Sequence, residues 1–299
     1  MTGAHDPLAV ALELCWGTVP DATLPELIDA ATVGGFAAVT VKPALYEAAR
    51  RDGHSDADLR SRAADAGILV TVVDPLITGL PGVPAPANVP ADMRSYFAHG
   101  EDDAHRVADA LGAGVINVVH FLGDASTPLA GLAEAIAGMG ARARARGRRL
   151  SIEFIPRTGI HDLAAAQAIV AAVGLDDVGI MVDTWHLVRS GGGVEDLRAL
   201  PAGAIAAVQV SDRGEPRART TPNPAGYVPM TGRLLPGEGL LPLAEILGAV
   251  LDNRPGLRVG VEVFSDDLRQ LGTAEAARRA GDTTRAVLAQ LDHRLDRLA

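Results

Sequence analysis

Glu153, Asp183, Gln209 and Glu262 each interrupt an apolar run, in LSIEFI, GIMVD, AAVQVSD and VGVEVF. A carboxylate inside such a run is costly to ionise unless something compensates its charge. One acid in a strand can be a bulge, an edge residue or half of a structural ion pair. Four polar residues at equivalent ends of successive runs are harder to explain that way. Three carboxylates meeting at one place would repel one another, and a divalent cation removes most of that cost. Three carboxylates with one amide oxygen form an all-oxygen donor set, better suited to Mg²⁺ or Mn²⁺ than to a soft metal.

Further candidates lie close by in the sequence. His186, in DTWH, can be a metal ligand, a capping residue or, as favoured here, a substrate hydrogen-bond partner. Arg233, in TGRLLPGEG, is either a bidentate anchor for a carboxylate or phosphate or a solvated loop arginine. Arg157, Arg213 and Arg217 are weaker versions of the same idea, and Glu238 in PGEG belongs to a helix-capping turn or to the site. His120 faces either the core, as favoured here, or the mouth of the fold, where it would contact substrate. Lys42 ends VTVKP and can point into a pocket that Glu13 and Trp16 also line. Cys15 reads as a small buried apolar group.

The elements that must position these residues alternate along the chain. Strands are predicted at Leu8–Cys15, Phe36–Val41, Ile68–Val73, Val115–Phe121, Leu150–Ile155, Val178–Val182, Ile205–Val210 and Leu257–Phe264. Several are nearly continuous apolar runs, as in a parallel sheet covered on both faces. Helices of 3.6-residue period are predicted at Pro25–Val33, Asp56–Ala66, Asp102–Leu111, Pro128–Arg146, His161–Val173, Val194–Leu200, Pro242–Leu251 and Thr273–Leu298. Thr127 is the expected N-cap of the fourth, with Pro128 in its first position. Eight βα units predict a single α/β domain over 1–299, a closed (β/α)₈ barrel, with an open doubly wound sheet as the alternative. No G-x-G-x-x-G opens the first helix. The long connections 75–100 and 212–239 would fall on the catalytic face as substrate-covering loops. They carry the ring faces of Tyr96, Phe97 and Tyr227, while Trp16, Tyr46 and Trp185 lie in or near other loops of that face.

Composition narrows the function. A net charge of −10 and 3% aromatic residues argue against a nucleic-acid partner, which would favour a basic face or stacking rings. One cysteine excludes an intrachain disulfide and a multi-cysteine zinc site. No secretory leader and no membrane span are expected, which points to the cytoplasm. A homo-oligomer is compatible with the long last helix, by analogy with other barrels.

The stretches SIEF, GIMVDTWH, VQVSD, RLLPGEG and VGVEVF, in that order, resemble the xylose-isomerase-like TIM-barrel superfamily, in particular its sugar phosphate isomerase/epimerase branch. The resemblance implies one divalent metal held by Glu153, Asp183, Gln209 and Glu262, with Mn²⁺ or Mg²⁺ ahead of Co²⁺ or Zn²⁺. Ketose epimerases of the family usually carry histidine where this chain has Gln209. Glutamine there is similar to hydroxypyruvate isomerases and some 3-dehydroshikimate dehydratases. The implied activity is isomerisation or epimerisation of a small hydroxy-carbonyl compound (a sugar, sugar phosphate or hydroxy-keto acid) by proton abstraction next to a metal-bound carbonyl. Glu153 and Glu262 would act as base and acid. His186, Arg233, Lys42, His120 and Trp16 would contact substrate. The same residues would serve a lyase, such as a dehydratase of the 3-dehydroshikimate type. A metal-dependent endonuclease and a non-catalytic binding protein are the remaining readings. The first is disfavoured because the chain lacks the richer His/Asp/Glu set of the endonuclease IV group.

Overall fold

The computed structural model describes residues 10–214 and 230–295. Eight parallel strands close on one another in sequence order, β1 pairing with both β2 and β8. They are β1 Leu12–Leu14, β2 Ala38–Val41, β3 Leu69–Leu76, β4 Val115–Val119, β5 Arg149–Glu153, β6 Val178–Asp183, β7 Ile205–Val210 and β8 Val259–Val261. The expected closed barrel is the fold, and the open sheet is excluded. The strands are shorter than several of the predicted apolar runs because those runs continue into buried loop segments. Val263, beyond β8, is fully buried.

The helices are α1 Leu24–Val33, α2 Pro43–Arg51, α3 Asp56–Asp65, α4 Glu101–Leu111, α5 Leu129–Ala145, α6 Leu163–Val173, α7 Thr184–Arg189, α8 Val194–Arg198, α9 Leu243–Asn253, α10 Asp266–Arg269 and α11 Thr273–Leu295. Apolar faces of the longer ones cover the barrel through Leu27, Leu59, Val107, Ile136, Ile169 and Leu247, all buried. Their starts follow capping chemistry. Thr23 and Glu26 form a capping box on α1, and Ser55 and Asp58 form one on α3. The Thr127 cap does not form. Pro128 stands at the N-cap of α5 and the Thr127 hydroxyl donates instead to the Asp124 carbonyl, 2.7 Å away. Helices α2, α7 and α10 lie beyond the eight predicted ones, as short insertions at strand ends. Among the described residues no helix is long and apolar enough to cross a membrane.

Two features of the barrel shape its interior. Pairing of β3 with β4 jumps from Val73–Ile116 to Leu76–Val118, an irregularity that spans Asp74 and Pro75. Proline has no N–H to give a ladder, and a local bulge re-aims the neighbouring side chain. Asp74 thereby reaches across the barrel to partners on β4 and β7. In β8, Gly260 admits close strand packing: a Cβ there would lie 2.8 Å from the Val208 carbonyl oxygen.

Candidate active site

Alternation along each strand places Asn117, Ser151, Glu153, Gln209 and Glu262 in one hydrogen-bonded interior. Asp74 is its centre. The Asn117 amide donates to Asp74 Oδ1 and to Glu153 Oε2, each at 2.8 Å. The Gln209 amide donates to Asp74 Oδ2 at 3.1 Å and to Glu262 Oε1 at 3.4 Å. Each amide therefore ties Asp74 to one of the two glutamates. The Gln209 Oε1 atom is buried and has no hydrogen-bond partner.

Asp183 ends β6 and caps α7. Its Oδ1 accepts from the backbone N–H groups of Trp185 and His186, at 2.7 and 3.0 Å. That leaves Oδ2 for the Arg233 Nη1 donor, at 2.6 Å. The cap also fixes His186, whose Nε2 lies 3.5 Å from Glu153 Oε1 and 3.4 Å from Arg233 Nη2. Arg233 is 1% exposed, with its guanidinium 4.9 Å from the Trp185 ring and 5.2 Å from the Phe264 ring. Its Nη1 also lies 3.4 Å from Glu262 Oε2. The solvated-arginine reading is thus excluded, and the carboxyl groups it holds are the chain's own Asp183 and Glu262.

Electrostatics follow from burial. Burial, reinforced by Asp74 and Asp183, pushes the Glu153 carboxyl well above the usual range. Burial does the same to Glu262 against the opposing pull of Arg233. Asp74 is pushed up to about 6 by burial, with the Asn117 and Gln209 amides pulling the other way. Burial also pushes Asp183 up, but Arg233, His186 and the α7 cap override it and hold that carboxyl below its ordinary value. Burial lowers His186 to about 4, so its imidazole is neutral near pH 7.

This donor set fits a divalent cation on two grounds. Four buried carboxyl groups face one guanidinium, and two of them are held back from ionising for want of positive charge. The orphaned Gln209 oxygen is an acceptor that a cation would satisfy. Glu153, Asp183 and His186 each offer one ligand atom within 4.8 Å of the others. This geometry brings His186 into the candidate ligand set. An imidazole nitrogen widens the choice beyond the hard ions that an all-oxygen set prefers.

Above these groups opens a cavity of about 280 Å³. Asp74, Glu153, His186, Arg233 and Glu262 reach it, as do Trp16 and Tyr96, while Asp183 and Gln209 sit behind its lining. Two expected substrate contacts lie elsewhere. His120 is a core residue: its Nε2 lies 2.8 Å from the Pro81 carbonyl and its Nδ1 accepts from Gly159 N–H at 2.9 Å. Both ring nitrogens are spent on backbone, so it has nothing to offer the mouth. Lys42 stands outside the lining with its Nζ 4.4 Å from the Trp16 ring centroid. Glu238 is exposed, and the PGEG turn wraps the Asp212 carboxylate through the Gly237 and Gly239 N–H groups, each at 3.0 Å. A Cβ at Gly239 would fall 2.3 Å from Asp212 Oδ1, which requires glycine there. Among the other ring candidates, Phe97 is buried, Trp185 backs Arg233, and Tyr46 bonds Asp56 at 2.7 Å. Arg217 and Tyr227 lie outside the described residues. Asp74 and Asn117 escaped the sequence reading. A polar residue two places before the end of VINVV was the available signal for Asn117.

The pattern of the xylose isomerase-like TIM barrel family matches residues 28–287. The chain belongs to that family. An inosose isomerase from Halalkalibacterium halodurans is 29% identical over 150 residues, 50% of this chain and 51% of that protein. One from Bacillus subtilis is 27% identical over 140 residues, 46% of this chain and 48% of that protein. The matched stretches thus span about half the length of these curated relatives. Among solved structures, the IOLI protein with a bound zinc atom superposes with a TM-score of 0.79 at 18% identity, over 94% of this chain and 99% of that one. An L-ribulose 3-epimerase gives 0.69 at 17%, over 97% and 98%. The probable 3-DHS dehydratase from Bacillus anthracis gives 0.68 at 15%, over 89% and 97%. At these identities the likeness shows the barrel fold alone.

Proposed function

We propose that this protein is a divalent-metal-dependent isomerase or epimerase acting on a small hydroxy-carbonyl compound. The observation that carries the reading is the grouping of Glu153, Asp183 and His186, each with a ligand atom within 4.8 Å of the others, with Glu262 on the same cavity floor and the buried Gln209 oxygen without a partner. The inosose isomerase names of the curated relatives and the zinc atom of the IOLI structure support it. Glu153, Asp183, Gln209 and Glu262 would hold the cation, with His186 beside them. Bound there, it would supply Lewis-acid polarisation to a substrate carbonyl.

The chain's own residues do the rest. Glu153 and Glu262 reach the cavity from the ends of β5 and β8, and Asp74 holds both through its two amide bridges. One takes the proton from the carbon next to the carbonyl and the other returns one. Neutral His186 offers a hydrogen bond to a substrate oxygen. Arg233 keeps Asp183 ionised.

Elemental analysis of purified protein tests the metal, and a panel of hydroxy-carbonyl compounds in D₂O tests the chemistry. About one equivalent of a divalent ion in wild type, lost in Glu262→Gln, is expected. So is an isomeric product whose mass differs from that of its substrate only by deuterium gained from solvent. A product lighter by one water would make the protein a lyase. No metal, and no thermal shift on adding any, would overturn the reading.

A further inference from the structure

The cavity has two unlike halves. Its polar floor comes from the ends of β3, β5 and β8 through Asp74, Glu153 and Glu262, and from α7 through His186. Its wall comes from Val119 at the end of β4 and from the segments after β3, β4 and β5 through Ile77, Met93, Phe121 and Ile155, and these belong to a small apolar cluster separate from the main core. Phe264 adds to this apolar lining. Tyr96 and Thr231 add two hydroxyls to the lining.

A phosphate or carboxylate on a ligand needs a guanidinium, an ammonium or a cluster of N–H donors. Among the described lining residues the basic groups are Arg233 and His186. Arg233 is committed to Asp183 and Glu262, and His186 Nε2 already lies between Glu153 Oε1 at 3.5 Å and Arg233 Nη2 at 3.4 Å. Lys42 stands outside the lining, over the Trp16 ring. A fully hydroxylated chain would leave its hydroxyls unpaired along Ile77, Phe121 and Ile155.

We propose, resting on the hydroxy-carbonyl reading above, that the substrate is uncharged and amphipathic. Its hydroxy-carbonyl end would lie on the Glu153–Glu262 floor and its apolar body against the Ile77, Phe121 and Ile155 wall. Among the described residues, the lining offers a sugar phosphate no guanidinium or ammonium that is not already paired with a carboxylate.

Three hydroxyketones that differ in one group test this by calorimetric binding to the full chain in excess Mn²⁺. They are 2-hydroxyacetophenone, dihydroxyacetone and dihydroxyacetone phosphate. The phenyl compound is expected to bind at least about tenfold more tightly than dihydroxyacetone, and the phosphate no more tightly than dihydroxyacetone. Phe121→Ser and Ile155→Ser should each shrink the phenyl advantage. Tighter binding of the phosphate, equal binding of the phenyl compound and dihydroxyacetone, or a phenyl advantage that survives both substitutions would overturn the amphipathic assignment while leaving the hydroxy-carbonyl reading standing. Binding of none of the three would overturn that reading itself, and this inference with it.

Discussion

Asp74 does at the residue scale what no single glutamate could. It accepts from both amides, so Asn117 and Gln209 must each turn an N–H group toward it and toward one glutamate. Asp74→Asn would keep the shape but replace one acceptor with a donor. An NH₂ group would then face the Asn117 or Gln209 amide, donor against donor. Partners behind a metal or catalytic ligand typically carry a 10–100-fold effect on affinity or activity. A loss of about that size in Mn²⁺ affinity or turnover is expected for Asp74→Asn, read by calorimetric titration and initial rates. Unchanged values would remove Asp74 from the site. Glu153→Gln should cost more than 100-fold in turnover, because it removes a proton carrier and a candidate ligand together. Turnover within about tenfold of wild type would assign base and acid to other groups.

At the scale of elements, the six-residue helix α7 aims His186 and orients Asp183. It is anchored to β7 by Thr184, whose hydroxyl donates to the Ser211 carbonyl at 2.8 Å and accepts from Ser211 N–H at 3.1 Å. Both residues are fully buried. Thr184→Val leaves that backbone N–H and carbonyl unpaired, at about 1–3 kcal/mol for a buried group without a partner. A destabilisation of about 2 kcal/mol in denaturant melts is expected, with a parallel loss of metal affinity as α7 loosens. A destabilised variant with wild-type metal affinity would show that α7 does not depend on this anchor. The β3 irregularity plays the matching part for Asp74, by ending a regular ladder where an inward carboxyl is needed.

For the whole molecule, the buried acids set the pH dependence of the metal-free protein. Glu13, beneath the site and bonded to the Thr71 hydroxyl, is pushed up to about 7, mainly by burial. Asp74 is pushed up to about 6. Both carboxyls bind protons more tightly folded than unfolded, so raising the pH from the unfolded values near 4 toward 6 and 7 favours unfolding. Each group contributes a slope of up to about 1.4 kcal/mol per pH unit in that window. Exposed acids held low by arginines, such as Glu275, act in the opposite sense and at lower pH. Chelator-treated protein should therefore lose Tm between pH 5 and 7.5. Glu13→Gln should flatten the decline, and saturating Mn²⁺ should reverse it, since a cation needs the carboxylates ionised. A Tm that rises across the same range without metal would refute the assignment of these acids as protonated.

Strand and helix periodicity are local, and they were enough for eight βα units and hence the barrel, because a buried parallel strand must be apolar along its whole length. Glu153, Asp183, Gln209 and Glu262 were legible for the converse reason: each breaks such a run at a corresponding end. Asp74 was not, since DPL reads as the start of a loop and a proline argues against strand. Whether a side chain at a strand end meets the mouth or the core depends on neighbours far away in sequence. His120 could be settled only by Pro81 and Gly159, and Arg233 only by Asp183, fifty residues earlier. Residue types declared that acid chemistry was present. Tertiary packing decided which acids meet, which one is neutralised by an arginine, and which face of the cavity stays apolar, because those outcomes are set by pairing and desolvation between strands rather than along one.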